Sequence, residues 1–479
     1  MAIPTPSLFH VLRIQMRKHL YYYSSALCGA GKTQWAVVMM ATTASRYIYA
    51  IDRVEEFDTR RQRILDAAPS GAKIEIINLS RQHGNHVSRD FPSFIETYSD
   101  RSYPHVVILV THECLKRVDH ALVKGNGWTL IVDEDLKPWS SGTIELPVSA
   151  SLLSRIYDLE PIAESYSKLK LTADGPGLHD IMADDLARPL AALHDRVQRL
   201  GVAVNLTSWA ELDERQRMTW FSVFDLRELR HYDAVYFLAN SFERLLTYKL
   251  SRTLYPEIDW APIEISRPEA WKARELTIKY AVADHVASTN WLDSTEGHAA
   301  LRCWADWVKS SVTRELHYFT GNLAFLGVLR LPGRLIMPKV AGMNDLDHLT
   351  ECSILYAAKA SKAEAGVFAA LTGGAITPAD VQRDREYEDL VQIVFRSSLR
   401  VPSDDRPVTV RLYDKEQAQF LADFFASSGL PFRVKVEHED IGIVRVRRQP
   451  GRPVTGKAKS QAERAAAYRA RKRADRMIA

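Results

Sequence analysis

The chain has 479 residues, 46% hydrophobic and 25% charged, the balance of an ordinary globular protein long enough for two or three domains. No stretch of eighteen uninterrupted apolar residues occurs, which excludes a transmembrane helix. The four scattered cysteines, with no CxxC pair, argue against a disulfide framework or zinc site and for a reducing cytoplasm. The net charge of +4 has two unlike parts: from Arg445 to the end nine Arg and three Lys face only Glu463 and Asp475, giving +10, so residues 1–444 carry −6.

In chain order, the aromatic and apolar run YYYSSAL (21–27) predicts a strand and TQWAVVMMAT (33–42) a helix. Between them SSALCGAGKT fits a phosphate-binding loop, with Ala26 in the place of the first Gly. Backbone N–H groups at Ala26, Gly29, Ala30 and Gly31 are expected to face a nucleotide's phosphates, with the two glycines allowing close approach. Lys32 would reach the β- and γ-phosphates, and the Thr33 hydroxyl would ligate Mg²⁺. RYIYAI (46–51), KIEIINLS (73–80) and HVVILV (105–110) read as strands alternating with helices, the pattern of a parallel sheet. His112 and Glu113 follow the last of these, but Lys116 stands where a zinc protease needs its second His, so His112 is read as structural.

GWTLIVDEDLKPW (127–139) predicts an apolar strand ending in two carboxylates, on a strand adjacent to that of the phosphate loop. Asp133 is assigned to Mg²⁺ and Glu134 to the base that activates the attacking water. Residues 140–230 read as an insertion, after which YDAVYFL (232–238) rejoins the first sheet with Ala239-Asn240-Ser241 at its end. The first domain is therefore placed at 1–250 and a second at 251–444. Residues 256–289 are expected to connect the two, ELHYFTGNLA (315–324) to open the second sheet, and CSILYAA (352–358) to continue it. DREYEDLVQIVFRSSLR (384–400) predicts a helix carrying Gln392, Arg396 and Arg400 on one face, four apart. Arginines there suit a nucleotide site completed by the second domain, since a guanidinium stabilises charge spreading over the transferred phosphoryl group. The segment 445–479 is a basic, flexible tail expected to attract nucleic-acid phosphates through Arg452, Lys457, Arg469, Arg471, Lys472 and Arg473, and its PGRP (450–453) is similar to an AT-hook core.

The series ALCGAGKT, VDED, LANS, AGMN and QIVFRSSLR occurs in the order of helicase motifs I, II, III, V and VI, and residues 20–440 resemble a superfamily 2 helicase of the DEAD/DEAH type, in a phage or mobile-element version. The resemblance implies an α/β chain of two RecA-like domains with parallel sheets that clasp ATP and Mg²⁺, Gln392 and Arg396 touching the nucleotide, and Arg396 or Arg400 as the arginine finger. It departs from the family in ANS, where Ser/Thr-Ala-Thr is usual, and in the four-residue spacing of its arginines, where three is usual. It also implies nucleic acid lying across both domains near Arg53 and Thr111; DNA is expected before RNA as the partner. Two other readings of the same motifs stay open: a viral-type DNA-packaging ATPase, which needs a nuclease domain, and a nucleotide-gated DNA-binding protein without unwinding activity. Oligomeric state is not legible in the sequence.

Overall fold

Three sheets carry the chain. The computed structural model describes residues 19–145, 150–185, 187–199, 201–215, 217–265, 269–338 and 345–443, and those up to Ile441 form one unit. The strands are β1 (His19–Ser24), β2 (Arg46–Ile51), β3 (Glu75–Asn78), β4 (Val106–Thr111) and β5 (Trp128–Asp133). Next come β6 (Trp139–Glu145), β7 (Tyr157–Ala163), β8 (Tyr166–Leu171), β9 (Val202–Asn205) and β10 (Arg217–Val223). The chain continues with β11 (Ala234–Leu238), β12 (Ile258–Pro262), β13 (Arg274–Val282), β14 (His317–Gly321) and β15 (Arg334–Leu335), and ends with β16 (Glu351–Leu355), β17 (Val408–Asp414) and β18 (Phe432–His438).

The first sheet has the order β12-β1-β11-β5-β2-β4-β3 and is parallel throughout. Its inner strands are covered on both faces, so they read as unbroken apolar runs rather than alternating ones: Val106 to Val110 are all buried. The pleat still divides them. Ile48, Ile108 and Leu130 join one core, and Tyr49, Leu109 and Ile131 the other, with Ala36, Val37 and Met40 of α1 (Lys32–Thr42). The second sheet, β15-β14-β16-β17-β13-β18, is also parallel and packs its own core from Leu276 to Phe425. The fold is α/β, with two RecA-like domains.

Several expectations are corrected. The two-carboxylate strand β5 is not adjacent to β1; β11 lies between them. The first sheet continues past residue 250, because β12 pairs with β1, and the second sheet opens at β13 rather than at β14. The stretch 139–223 forms a third, antiparallel sheet, β6-β10-β9-β8-β7. This sheet packs on α2 (Leu246–Leu254) and on α3 (Lys362–Thr372), where Trp139 stacks on Phe368 at 3.9 Å and donates to Glu364 at 2.6 Å.

The expected helix through residue 400 ends earlier. α4 (378–394) starts at a capping box, Thr377 with Asp380 and Pro378 in the first turn, which satisfies backbone donors no earlier residue can reach. It passes through a π-helical turn at Arg383–Tyr387 and stops at Val394. Beyond it Ser397 is extended and its hydroxyl accepts from Leu399 N–H at 3.3 Å, a local bond that competes with helix continuation and opens the 3₁₀ turn Ser398–Arg400. Gln392, Arg396 and Arg400 therefore do not share a helix face; they stand on three successive turns.

Candidate nucleotide site

The link from β1 to α1 is short, and two glycines in the left-handed region close it: Gly29 (φ 79°) and Gly31 (φ 94°), the latter capping α1. Lys32 Nζ donates to the carbonyls of Ala26 at 2.5 Å and Leu27 at 3.0 Å, so the ammonium lies over the loop it ends. Ala26 is at the base of the loop, whereas Gly29, Ala30, Gly31, Lys32 and Thr33 line a cleft of about 910 Å³ between the two domains.

Asp133 ends β5 at the floor of this cleft and is 3% exposed. The Thr33 hydroxyl donates to it at 2.9 Å and the Tyr49 phenol at 2.6 Å, and the Arg60 guanidinium lies 3.7 Å away. Burial and the Asp133 charge keep the Tyr49 phenol protonated well above its ordinary range. A hydroxyl and a carboxylate within hydrogen-bond distance are the donor set that Mg²⁺ takes from a protein, with phosphate and water filling its other positions. Thr33 and Asp133 thus fit the ion. Among the described residues no group of three or more His, Cys, Asp or Glu is placed to hold a metal.

Glu134 has φ 73°, a conformation few non-glycine residues adopt, and its N–H donates to Leu238 O at 3.1 Å on the neighbouring β11. The left-handed backbone ends the strand there, and the side chain lines the cleft. Burial raises its carboxyl above the usual range, and Arg396 opposes that rise. Arg396 comes from the second domain and is 7% exposed; its Nη2 is 3.9 Å from Glu134 Oε1. Arg400 approaches the phosphate loop itself, where a Cβ on Gly29 would lie 3.6 Å from its Cγ.

Gln392 lines the same cleft and donates to Glu388 at 3.4 Å. Glu388 also receives both its oxygens' bonds from Asn240 Nδ2, at 2.8 and 2.9 Å, across the domain boundary. One helical turn earlier Asp384 accepts from Leu246 N–H at 2.7 Å at the start of α2, and one turn before that Asp380 pairs with Lys249. The three acids of α4 thus make a ladder against the first domain. Burial, augmented by Asp135, raises Asp384 to about 7; burial raises Glu388 to about 7 against the opposing bonds from Asn240 and Gln392.

The two residues expected near nucleic acid lie along the carboxyl-terminal edge of the first sheet, at the ends of its inner strands β2 and β4. Ile51 pairs with Thr111, and Arg53 follows β2 by two residues. The Thr111 hydroxyl accepts from Cys114 N–H at 3.1 Å, a capping role, while His112 is buried with Nε2 3.0 Å from Asp133 O. The tail residues Arg452, Lys457, Arg469, Arg471, Lys472 and Arg473, and the AGMN stretch (341–344), lie outside the described residues. Sequence reading missed Tyr49, Arg60 and Glu388. Glu388 had a signal, since it precedes Gln392 by four residues; Tyr49 and Arg60 had none, because each looks like an ordinary strand or helix residue until β2 and β5 pair.

No protein-family model matches the chain, and neither does any curated protein. Among solved structures it is similar to an XPD helicase, with a TM-score of 0.46 and 10% identity over 89% of this chain and 98% of that one. It is also similar to Xpd4 of S. tokodaii, with a TM-score of 0.45 and 10% identity over 89% and 97%. A third is S. cerevisiae Dbp5 bound to RNA and ADP BeF3, with a TM-score of 0.39 and 8% identity over 91% and 90%.

Proposed function

We propose that this chain is an ATP hydrolase that couples turnover to movement along nucleic acid, as a helicase or translocase. The observation that carries the reading is Arg396: a cation from the second domain reaches 3.9 Å from Glu134, beside the phosphate loop of the first. A site split between two domains makes hydrolysis depend on their closure, and closure is what a motor converts into displacement.

In this reading Lys32 holds the β- and γ-phosphates and Thr33 and Asp133 hold Mg²⁺, which when bound neutralises charge on those phosphates. Glu134 takes the proton of the attacking water, and the burial that raises its proton affinity favours that transfer. Arg396 and Arg400 stabilise charge on the transferred phosphoryl oxygens, and Gln392 orients the nucleotide from the second domain. Asn240 senses closure, because its bonds to Glu388 exist only when the domains meet. Nucleic acid, DNA before RNA, would follow the edge marked by Arg53 and Thr111 and be held by the basic tail. The four free cysteines suit a reducing cytoplasm.

The test is the rate of ATP hydrolysis with and without single-stranded DNA, duplex DNA and RNA, followed by strand displacement on the stimulating polymer. Stimulation is expected. A rate indifferent to every polymer would contradict the coupling, and metal-dependent cleavage of DNA would favour a packaging enzyme.

A further inference from the structure

Arg400 ends a single 3₁₀ turn, which closes with bonds from Arg400 N–H to Ser397 O and from Val401 N–H to Ser398 O, each at 3.0 Å. The turn is also gripped from elsewhere. Arg274, at the start of β13, is 1% exposed, and among the described residues no carboxylate comes within ion-pair distance of it. A buried guanidinium without a counter-ion is costly unless its N–H groups are satisfied. Here Nη1 donates to Ser398 O at 2.9 Å and Nη2 to Val401 O at 2.7 Å, the carbonyls that bracket Leu399 and Arg400, while Nε has no partner among the described residues; the plane sits over the Phe432 ring at 5.4 Å and the charges of Asp404 and Asp405 favour the cation.

Two neighbours extend the grip. Trp271 Nε1 donates to Leu399 O at 3.0 Å and Lys272 N–H to Pro402 O at 2.9 Å. The Trp271 ring also faces the first domain: a Cβ on Gly29 would be 3.7 Å from Cζ2, beside the Arg400 stem at 3.6 Å. The carbonyls of residues 398, 399, 401 and 402 are thus anchored to one short segment, and the same segment covers the phosphate loop.

We propose that Arg274, seconded by Trp271, is a positioning residue that sets Arg400 over the phosphate loop. This deepens the ATPase reading and rests on it. A guanidinium fits because its fixed fork reaches two carbonyls at once; a lysine ammonium on a flexible stem does not hold two points in one plane.

The test compares Arg274→Met, Arg274→Lys and Trp271→Phe with Arg400→Ala, and with Arg274→Met combined with Arg400→Ala, in ATP hydrolysis with kcat and KM separated and thermal melting as a fold control. Arg274→Met is expected to lower kcat on the order of 10²-fold, the scale of a catalytic group displaced by about 1 Å, with KM for ATP little changed. Arg274→Lys and Trp271→Phe should lower kcat less, and adding Arg274→Met to Arg400→Ala should cost nothing more, since the positioned group is gone. Should Arg274→Met fail to fold, Trp271→Phe alone and with Arg400→Ala makes the same comparison. A folded Arg274→Met with wild-type kcat, or losses that multiply in the double variant, would overturn the proposal while leaving the ATPase reading intact. A wild-type chain that hydrolyses no ATP with any polymer overturns the ATPase reading itself.

Discussion

On the first-domain side of the cleft the groups proposed to face the phosphates are consecutive, Gly29 to Thr33, and a strand, a tight turn and a helix place their backbone. On the second-domain side Arg396 and Arg400 follow the end of α4, and the carbonyls of the second turn are gripped by Arg274 and Trp271, more than 120 positions earlier. One half is fixed by local geometry and the other by tertiary support. The first half should therefore tolerate change around it and fail when its own atoms are removed, while the second should fail when its supports are removed.

Removal of Lys32 gives the largest expected effect. Lys32→Ala should abolish hydrolysis with the melting temperature little changed, because the ammonium contacts loop carbonyls and no core side chain. Glu134→Gln should keep nucleotide affinity and lose turnover, measured as tight binding of a fluorescent ATP analogue without phosphate release. Normal turnover in Glu134→Gln would remove the base from that residue and weaken the contrast.

The acid ladder of α4 predicts a pH effect of intermediate size. Glu388 is raised from 4.5 to about 7, so the closed cleft binds its proton more tightly than the open or unfolded chain. That stabilisation is complete below 4.5 and is lost as the pH rises through about 7. Melting temperature should fall over this window, and Glu388→Gln should flatten the fall without removing it, because Asp384 titrates in the same range. An unchanged pH profile in Glu388→Gln would mean that the carboxyl carries no proton in the closed state.

The smallest effect on catalysis is expected from the tail. Deleting residues 445–479 should spare basal hydrolysis, since the proposed catalytic groups lie between Lys32 and Arg400. It should weaken nucleic-acid binding and lower the slope of log K against log salt by about 0.7–0.9 for each lost phosphate contact. Identical slopes for the full and truncated chains would assign the tail to solubility or protein docking.

The contrast between the two halves also explains what could be read in the sequence. β2 was expected at 46–51 and spans Arg46–Ile51, and β5 was expected over 128–132 and spans Trp128–Asp133, because buried parallel strands are continuous apolar runs bounded by turns. β13 reads as a connector in the sequence because its run follows a proline-rich stretch and carries charges at Arg274, Glu275 and Lys279. The antiparallel nature of the inserted sheet was not legible, since short half-exposed strands such as β7 leave no distinct periodicity. At the site, the phosphate loop and the Asp133-Glu134 pair are local patterns. Tyr49 at Asp133, Asn240 at Glu388 and Arg274 at the Arg400 turn depend on pairings between residues 84 to 148 positions apart, which no local window contains.

If one catalytic site is shared by two domains, Arg396→Ala should disable it from the second-domain side. Single-turnover hydrolysis of ATP by this variant, measured beside the affinity for a fluorescent ATP analogue, should show a loss on the order of 10³-fold in rate with affinity nearly unchanged, as expected when a group acts mainly on the transition state. A near-normal rate in Arg396→Ala would contradict the account and leave the Arg396–Glu134 approach as a structural contact between domains.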